Sequence, residues 1–213
     1  METSALSQEM AAPSDPPSFT DPESPRGRLL RQAAHLFRDK GYERTTVRDL
    51  ASAVGIQSGS IFHHFRTKEE ILKAVMREAI LVNTGRMRSR LEAVADTGEA
   101  VRTLVQCELE SINGETGEAM AVLVYEWRSL SEASQAEILE LREVYEGIWL
   151  DTLTRAKSDG LIEAEPFILR RFLTGALSWT ITWYRPEGDM TIENLADHVM
   201  SMLKIRSERP IQT

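Results

Sequence analysis

Thr45-Thr46-Val47-Arg48-Asp49-Leu50-Ala51-Ser52-Ala53-Val54-Gly55-Ile56-Gln57-Ser58-Gly59-Ser60-Ile61-Phe62-His63-His64-Phe65 reads as two short helices joined by a tight turn. Leu50, Ala51 and Val54 recur at helical spacing, and Thr46 is placed to cap the first helix. Gly55 accepts the positive φ that ends it. Ile56 is expected to plug the corner. A second helix is expected from Ser58, with Ile61 and Phe65 four apart and facing inward. Two helices joined by a glycine-containing turn describe a motif that lays its second helix in the major groove of DNA.

The likeness extends on both sides of the turn. Leu29-Leu30-Arg31-Gln32-Ala33-Ala34-His35-Leu36-Phe37 precedes it, followed by Lys40-Gly41-Tyr42, and Phe65-Arg66-Thr67-Lys68-Glu69-Glu70-Ile71-Leu72 closes it. In order and spacing, without a gap, these residues closely resemble the N-terminal domain of the TetR family of bacterial transcriptional regulators. The resemblance implies phosphate contacts from His64 and Lys68, and base or adjacent backbone contacts from Ser58, Gly59, Ser60 and His63. Thr46 and Arg48 sit at a helix N-terminus, where free N–H groups attract anions. The hydroxyl of Thr46 is within reach of a phosphate, although capping alone explains it. The family usually has Tyr where this chain has Phe62, so the phosphate contact of that hydroxyl is missing here.

Charge supports the same location. The net charge is −8, yet residues 26–80 carry 11 Lys+Arg against 6 Asp+Glu. Residues 1–25 carry no Lys or Arg and 5 Asp+Glu, and residues 81–213 carry 14 against 22. Local charge, not the total, decides attraction to phosphate. Residues 1–25 lack the basic and apolar segments of a signal peptide, and no apolar run approaches the length of a membrane span. The single Cys107 excludes an internal disulfide and reads as a small core residue. A cytoplasmic, bacterial setting follows as the expectation, with no metal site, no cofactor and no membrane partner.

Periodicity predicts an all-α chain of about nine helices and no strand. Pro25–Lys40 is the first. A helix after Thr67, opened by a Thr67-to-Glu70 capping box, runs toward Leu91. Further helices are expected near Glu99–Ile112, Glu118–Leu130, Ser131–Ser158, Pro166–Tyr184 and Thr191–Leu203. The expected organisation is a disordered acidic arm (1–25), a helix-turn-helix domain of three helices (26–81), a larger helical effector-binding and dimerisation domain (82–205), and a frayed tail (206–213).

Trp127, Trp149, Trp179 and Trp183 all lie in the larger region. Each fills a core or lines an apolar ligand cavity. For a single tryptophan the core is the simpler reading, and four in one helical region raise the cavity. Arg128 is added as a partner for an acidic ligand group, with an ion pair to its acidic neighbours as the alternative. Phe172, Gly175, Ala176 and Trp179, with Leu195 and Val199 of the last helix, read as a dimer interface of four helices, or else as core of the same chain.

Tyr125-Glu126-Trp127-Arg128-Ser129-Leu130 and Trp183-Tyr184-Arg185-Pro186-Glu187-Gly188-Asp189-Met190-Thr191 resemble a branch of the family that represses fatty-acid and steroid breakdown, several of whose members answer to acyl-CoA thioesters. The expectation is therefore a homodimeric repressor, released from a palindromic operator on double-stranded DNA by a hydrophobic effector of the acyl-CoA class. The alternatives are a multidrug or aromatic-ligand sensor, a DNA-binding structural protein without ligand, and an enzyme with a helical pocket. No nucleophile–base pair, phosphate loop or metal set of recognisable spacing supports the last, so a non-enzyme is expected.

Overall fold

The computed structural model describes residues 20–203, which form nine α-helices and two short 3₁₀ turns without a strand. Most of the 1–25 arm and the whole 206–213 tail lie outside the described residues. Residues 20–25 do not behave as an arm: Thr20 hydrogen-bonds through N–H and hydroxyl to Glu78, and Ser24 caps the first helix by accepting from the N–H of Gly27.

Helix α1 (Pro25–Lys40) starts with proline in its first turn, where a missing N–H costs nothing, and ends at Gly41 with φ +83°. Leu29, Leu30, Ala33, Ala34 and Phe37 form its buried face. Helices α2 (Val47–Val54) and α3 (Ser58–Ile61) follow, separated by Gly55 in the left-handed region at φ +73°. Helix α4 (Lys68–Glu92) runs without interruption past residue 81 and packs against α1, α5, α6 and α7. Its N-cap Thr67 accepts from the N–H of Glu70, but the Glu70 carboxylate turns to the N–H of Arg66 (2.7 Å), so only half of the expected capping box forms.

Helix α5 (Thr97–Asn113) is the hub of the larger half, with contacts to α4, α6, α7, α8 and α9. Helix α6 (Gly117–Tyr125) stops earlier than expected, and a separate 3₁₀ turn covers Trp127–Ser129. Helix α7 (Glu132–Ser158) begins at the cap Ser131 and ends before Gly160, which takes φ +71°. Helix α8 (Pro166–Trp179) is likewise shorter than expected and passes into a 3₁₀ turn at Thr180–Thr182. In α9 (Ile192–Leu203), Leu195, Ala196 and Val199 are buried and the helix packs on α5.

One continuous core links the two halves, from Phe37, Leu50 and Ile61 through Ile71, Leu72 and Met76 to Leu104, Ile138 and Trp149. Burying such surface is the main favourable term in folding. The DNA-side helices are thus not a separate bead on a linker.

Candidate DNA-reading surface and effector region

Thr46 and Asp49 cap α2 reciprocally. The Thr46 hydroxyl oxygen accepts from the N–H of Asp49 (3.1 Å), and the Asp49 carboxylate accepts from both the N–H and the hydroxyl of Thr46 (2.8 Å each). The hydroxyl proton of Thr46 is thereby committed within its own helix. The N–H of Thr46 is the largest cause holding the Asp49 carboxyl below its ordinary pKa, with the Thr46 hydroxyl next.

Arg48 stands exposed and forms no ion pair with another described residue. Ser58 and Ser60 are half-buried at the start of α3, and a side chain at Gly59 would meet nothing within 4 Å, which leaves this point of the helix open for approach by a partner. α3 is a single turn, shorter than expected, continued by i→i+3 bonds from His63 to Ser60 (3.3 Å) and from His64 to Ile61 (2.9 Å). That tighter winding still buries Ile61 and Phe65, while Phe62, His63 and His64 are exposed. Ile56 does not plug the corner: its side chain is 42% exposed, and the corner is closed instead by the Ile56 N–H bonding to the Ala51 carbonyl at 3.0 Å.

Lys68 has partners that its sequence position did not reveal. Its Nζ donates to the carbonyls of Tyr42 (2.8 Å) and Thr45 (2.9 Å) and lies 4.1 Å from the centre of the Tyr42 ring. A cation at this helix N-terminus is therefore explained within the chain, without a phosphate. The N–H of Tyr42 donates to Glu126 Oε1 at 3.0 Å. His35 Nδ1 and Arg38 Nη1 both approach Glu118 Oε1, at 3.0 and 2.8 Å, so His35, a residue without an expected role, belongs to the joint between α1 and α6. Ser131 donates to Glu69 (2.6 Å), and Lys73 pairs with Glu137 (2.9 Å). Polar ties thus run from α1, its following corner and α4 to α6 and α7.

The expected pocket residues are not brought together. Trp149 is fully buried, Trp127 half-buried beside Arg142, and Arg128, Trp179 and Trp183 are exposed. A cleft of about 660 Å³ between α1, α4 and α6 has Leu30, Ala34, Val75 and Ala79 in its wall and none of these five residues. Of the expected interface, Phe172, Gly175, Ala176 and Trp179 lie exposed along α8. Leu195 and Val199 instead close the core of their own chain against α5, because the apolar stripe of α9 is covered from inside. Among the described residues no group of three or more His, Cys, Asp or Glu is placed to hold a metal, and no helix is long and apolar enough to cross a membrane.

A buried polar cluster also went unread in the sequence. Glu108 on α5 accepts from the Tyr145 hydroxyl and from Trp149 Nε1 (3.1 Å) on α7. Arg170 on α8 reaches Glu108 at 3.5 Å and donates to both oxygens of Glu146, at 3.0 and 2.9 Å. Burial, reinforced by Glu108, pushes the Tyr145 pKa well above its ordinary value and keeps its proton in place as a donor. Burial works against the Arg170 charge, but Glu108 and Glu146 outweigh it.

This combination of a capped helix-turn-helix and a larger helical half built on α5 defines a helix-turn-helix transcriptional regulator. Residues 29–75 match the family model of bacterial regulatory proteins of the tetR family, and residues 94–204 match the tetracyclin repressor-like C-terminal domain. The chain belongs to the TetR family. It is 30% identical over 194 residues to the HTH-type transcriptional repressor KstR2 of Rhodococcus jostii, covering 88% of this chain and 95% of that one. It resembles the crystal structure of superantigen PfiT with a TM-score of 0.74 at 64% identity, over 86% of this chain and 98% of that one. The ketosteroid transcriptional regulator KstR2 of Mycobacterium tuberculosis matches with a TM-score of 0.76 at 26% identity, over 87% and 96%.

The Asp49 cap has a testable pH dependence. A carboxylate whose folded pKa lies below its unfolded value stabilises the fold above the unfolded value and loses that contribution as pH falls through the folded one. Wild-type stability, followed by thermal unfolding across the acid range, is expected to drop more steeply than that of Asp49→Asn, which cannot ionise. Parallel acid profiles for the two proteins would show that the cap does not titrate with folding.

Proposed function

We infer that the chain is a homodimeric repressor whose operator binding is relieved by a hydrophobic acyl thioester, and that it is not an enzyme. The complete helix-turn-helix, with Arg48, His63 and His64 exposed and Ser60 half-buried, carries the DNA side of this reading. The effector side draws on the repressors named KstR2, one of them described as a ketosteroid regulator. The name of the 64% identical PfiT denotes another activity, and the intact helix-turn-helix favours regulation for this chain. The division of labour proposed is DNA binding by residues 26–81 and effector binding and dimerisation by 82–205, with α4 shared between them.

At the DNA surface we assign phosphate contact to His64, Arg48 and the N-terminus of α2 at Thr46. Base or close backbone contact goes to Ser58, Gly59, Ser60 and His63, with Phe62 as an apolar neighbour. Lys68 joins them as a residue that first holds the Tyr42–Thr45 corner and offers its remaining charge to phosphate. His64→Ala is expected to weaken binding to operator and unrelated duplex alike and to lower the salt slope by about one unit, as for one lost phosphate contact. Ser60→Ala is expected to alter base preference at one or two positions instead. Equal salt slopes in wild type and His64→Ala, measured by fluorescence anisotropy, would remove the phosphate assignment.

For the dimer, the exposed α8 face of Phe172, Gly175, Ala176 and Trp179 remains the proposed contact, now without Leu195 and Val199. A side chain at Gly175 meets nothing within 4 Å in the single chain. Gly175→Leu is therefore accommodated by the protomer and overpacks only a closely apposed partner helix. Sedimentation should show the wild type as a dimer at micromolar concentration and the variant as a monomer with unchanged helicity. A variant that stays dimeric would move the interface elsewhere.

The effector test uses tryptophan emission, since no tryptophan lies in residues 26–81. Acyl-CoA thioesters of graded chain length should change that emission saturably and release operator at matching concentration, and operator should weaken their binding by the same factor. If planar drugs move both signals and the thioesters neither, the multidrug-sensor alternative replaces this reading.

A further inference from the structure

The cluster of Glu108, Tyr145, Glu146, Trp149 and Arg170 is costly as a structural device. It places one cation and two carboxylates where α5, α7 and α8 meet, with the Arg170 side chain 2% exposed and that of Glu108 4%. Buried charges persist only where their hydrogen-bonding capacity is met, and apolar residues of similar size commonly serve stability as well or better. Here the capacity is not fully met. Nε and Nη2 of Arg170 are engaged by the carboxylates, but Nη1 is buried and has no acceptor among the described residues. The guanidinium carbon lies 4.4 Å from the centre of the Trp149 ring, so the group is held in orientation by stacking as well as by charge.

We propose that Arg170 Nη1 is the anchor for the thioester carbonyl oxygen of the effector. This deepens, and rests on, the acyl-thioester reading above. An orphaned donor calls for an acceptor atom, and the charge of the cluster selects which kind. Arg170 faces two carboxyl groups, those of Glu108 and Glu146, so it is already overmatched and the formal charge of the cluster is one negative. A free carboxylate would add a second. A neutral carbonyl satisfies Nη1 without that repulsion, so the site distinguishes the thioester from the fatty acid released by its hydrolysis. The approach runs from the side of Glu146, whose side chain is 24% exposed, where those of Arg170 and Glu108 are sealed. Accommodation of the acyl chain requires α7 and α8 to part at this point. The carbonyl is thereby coupled to the packing of α8, the helix whose outer face is the proposed dimer contact.

The test compares three ligands of one chain length: an S-acyl pantetheine thioester, the S-alkyl pantetheine thioether that lacks only the carbonyl oxygen, and the free carboxylic acid. Pantetheine derivatives leave out the nucleotide phosphates of coenzyme A and so isolate the carbonyl. Binding is followed by tryptophan emission, which includes Trp149 stacked on Arg170. The thioester should bind wild type about ten- to hundredfold more tightly than the thioether or the acid, the range of one hydrogen bond to a charged group. Arg170→Lys keeps the charge and removes the fork, and should bind thioester and thioether equally. Circular dichroism reports whether this variant folds, and if it does not, the wild-type comparison decides alone. Wild type that binds the thioether or the acid as tightly as the thioester would overturn the anchor while leaving the effector reading intact, as would a folded Arg170→Lys that still prefers the thioester. If the pantetheine thioester does not bind but the acyl-CoA thioester of the same chain length does, the anchor fails alone; if neither binds at any chain length, the effector reading itself fails and the anchor with it.

Discussion

The ammonium group of Lys68 holds the DNA-reading half in place. It draws the carbonyls of Tyr42 and Thr45 toward the start of α4 and rests on the Tyr42 ring. Those two carbonyls belong to the corner between α1 and α2, so one charge fixes three helices relative to one another. The same corner is held from the other side, because Glu126, just past the end of α6, accepts the N–H of Tyr42. Tyr42, bonded at its carbonyl by an α4 lysine and at its N–H by a residue of the larger half, cannot move independently of either. The orientation of α2, and through Gly55 that of α3, follows from this arrangement. The α1–α6 joint of His35 and Arg38 on Glu118 adds a second tie on another side of α1.

The larger half has a different kind of specification. Its core along α4 and α5 is mainly apolar, with buried Asn83, Thr84 and Ser111 among it, and it contains an ionic knot at the meeting of α5, α7 and α8. Exposed ion pairs such as Lys157–Glu165 contribute little to stability. The Glu108–Arg170–Glu146 knot differs because water is excluded from its inner members, so removing Arg170 leaves buried carboxylate charge uncompensated. The helix that carries Arg170 also presents Phe172 and Trp179 to the outside. A change in how Arg170 is seated therefore bears on both faces of α8.

Much of this architecture was legible in the sequence, and the reasons are local. Helix starts and stops depend on residues a few positions apart: Thr46 with Asp49, glycines at positions 41 and 55, proline at 25 and 166. The inward faces of α1 and α4 followed from spacing alone. What stayed hidden depends on distant partners. Glu126 and Tyr42 are 84 residues apart, and nothing near either announces the other. Glu108 and Arg170 look like ordinary solvated charges until three helices enclose them. The stripe of Leu195 and Val199 was correctly periodic, yet periodicity says that a face is covered and not by what, and here α5 of the same chain covers it. The tryptophans misled for a similar reason: their composition suggested a shared cavity, while the fold distributes them between core and surface. Helices α6 and α8 were expected to be too long because their last turns tighten into 3₁₀ geometry, which leaves the apolar pattern almost unchanged.

The unbroken course of α4 has a mechanical consequence. At 1.5 Å per residue a helix of 25 residues is a rod about 37 Å long, with the DNA-side corner at its start and the larger half packed along its length. Treated as a lever, it converts a tilt of about 5° into a displacement of about 3 Å at its far end. In a two-fold pair the displacement is doubled in the separation of the reading heads. Successive major grooves on one face of a duplex recur about 34 Å apart, a spacing that rigid heads cannot meet once their separation has changed by several ångströms. Small adjustments among α5, α7 and α8 are thus amplified by length alone, and no hinge within the DNA-reading half is needed.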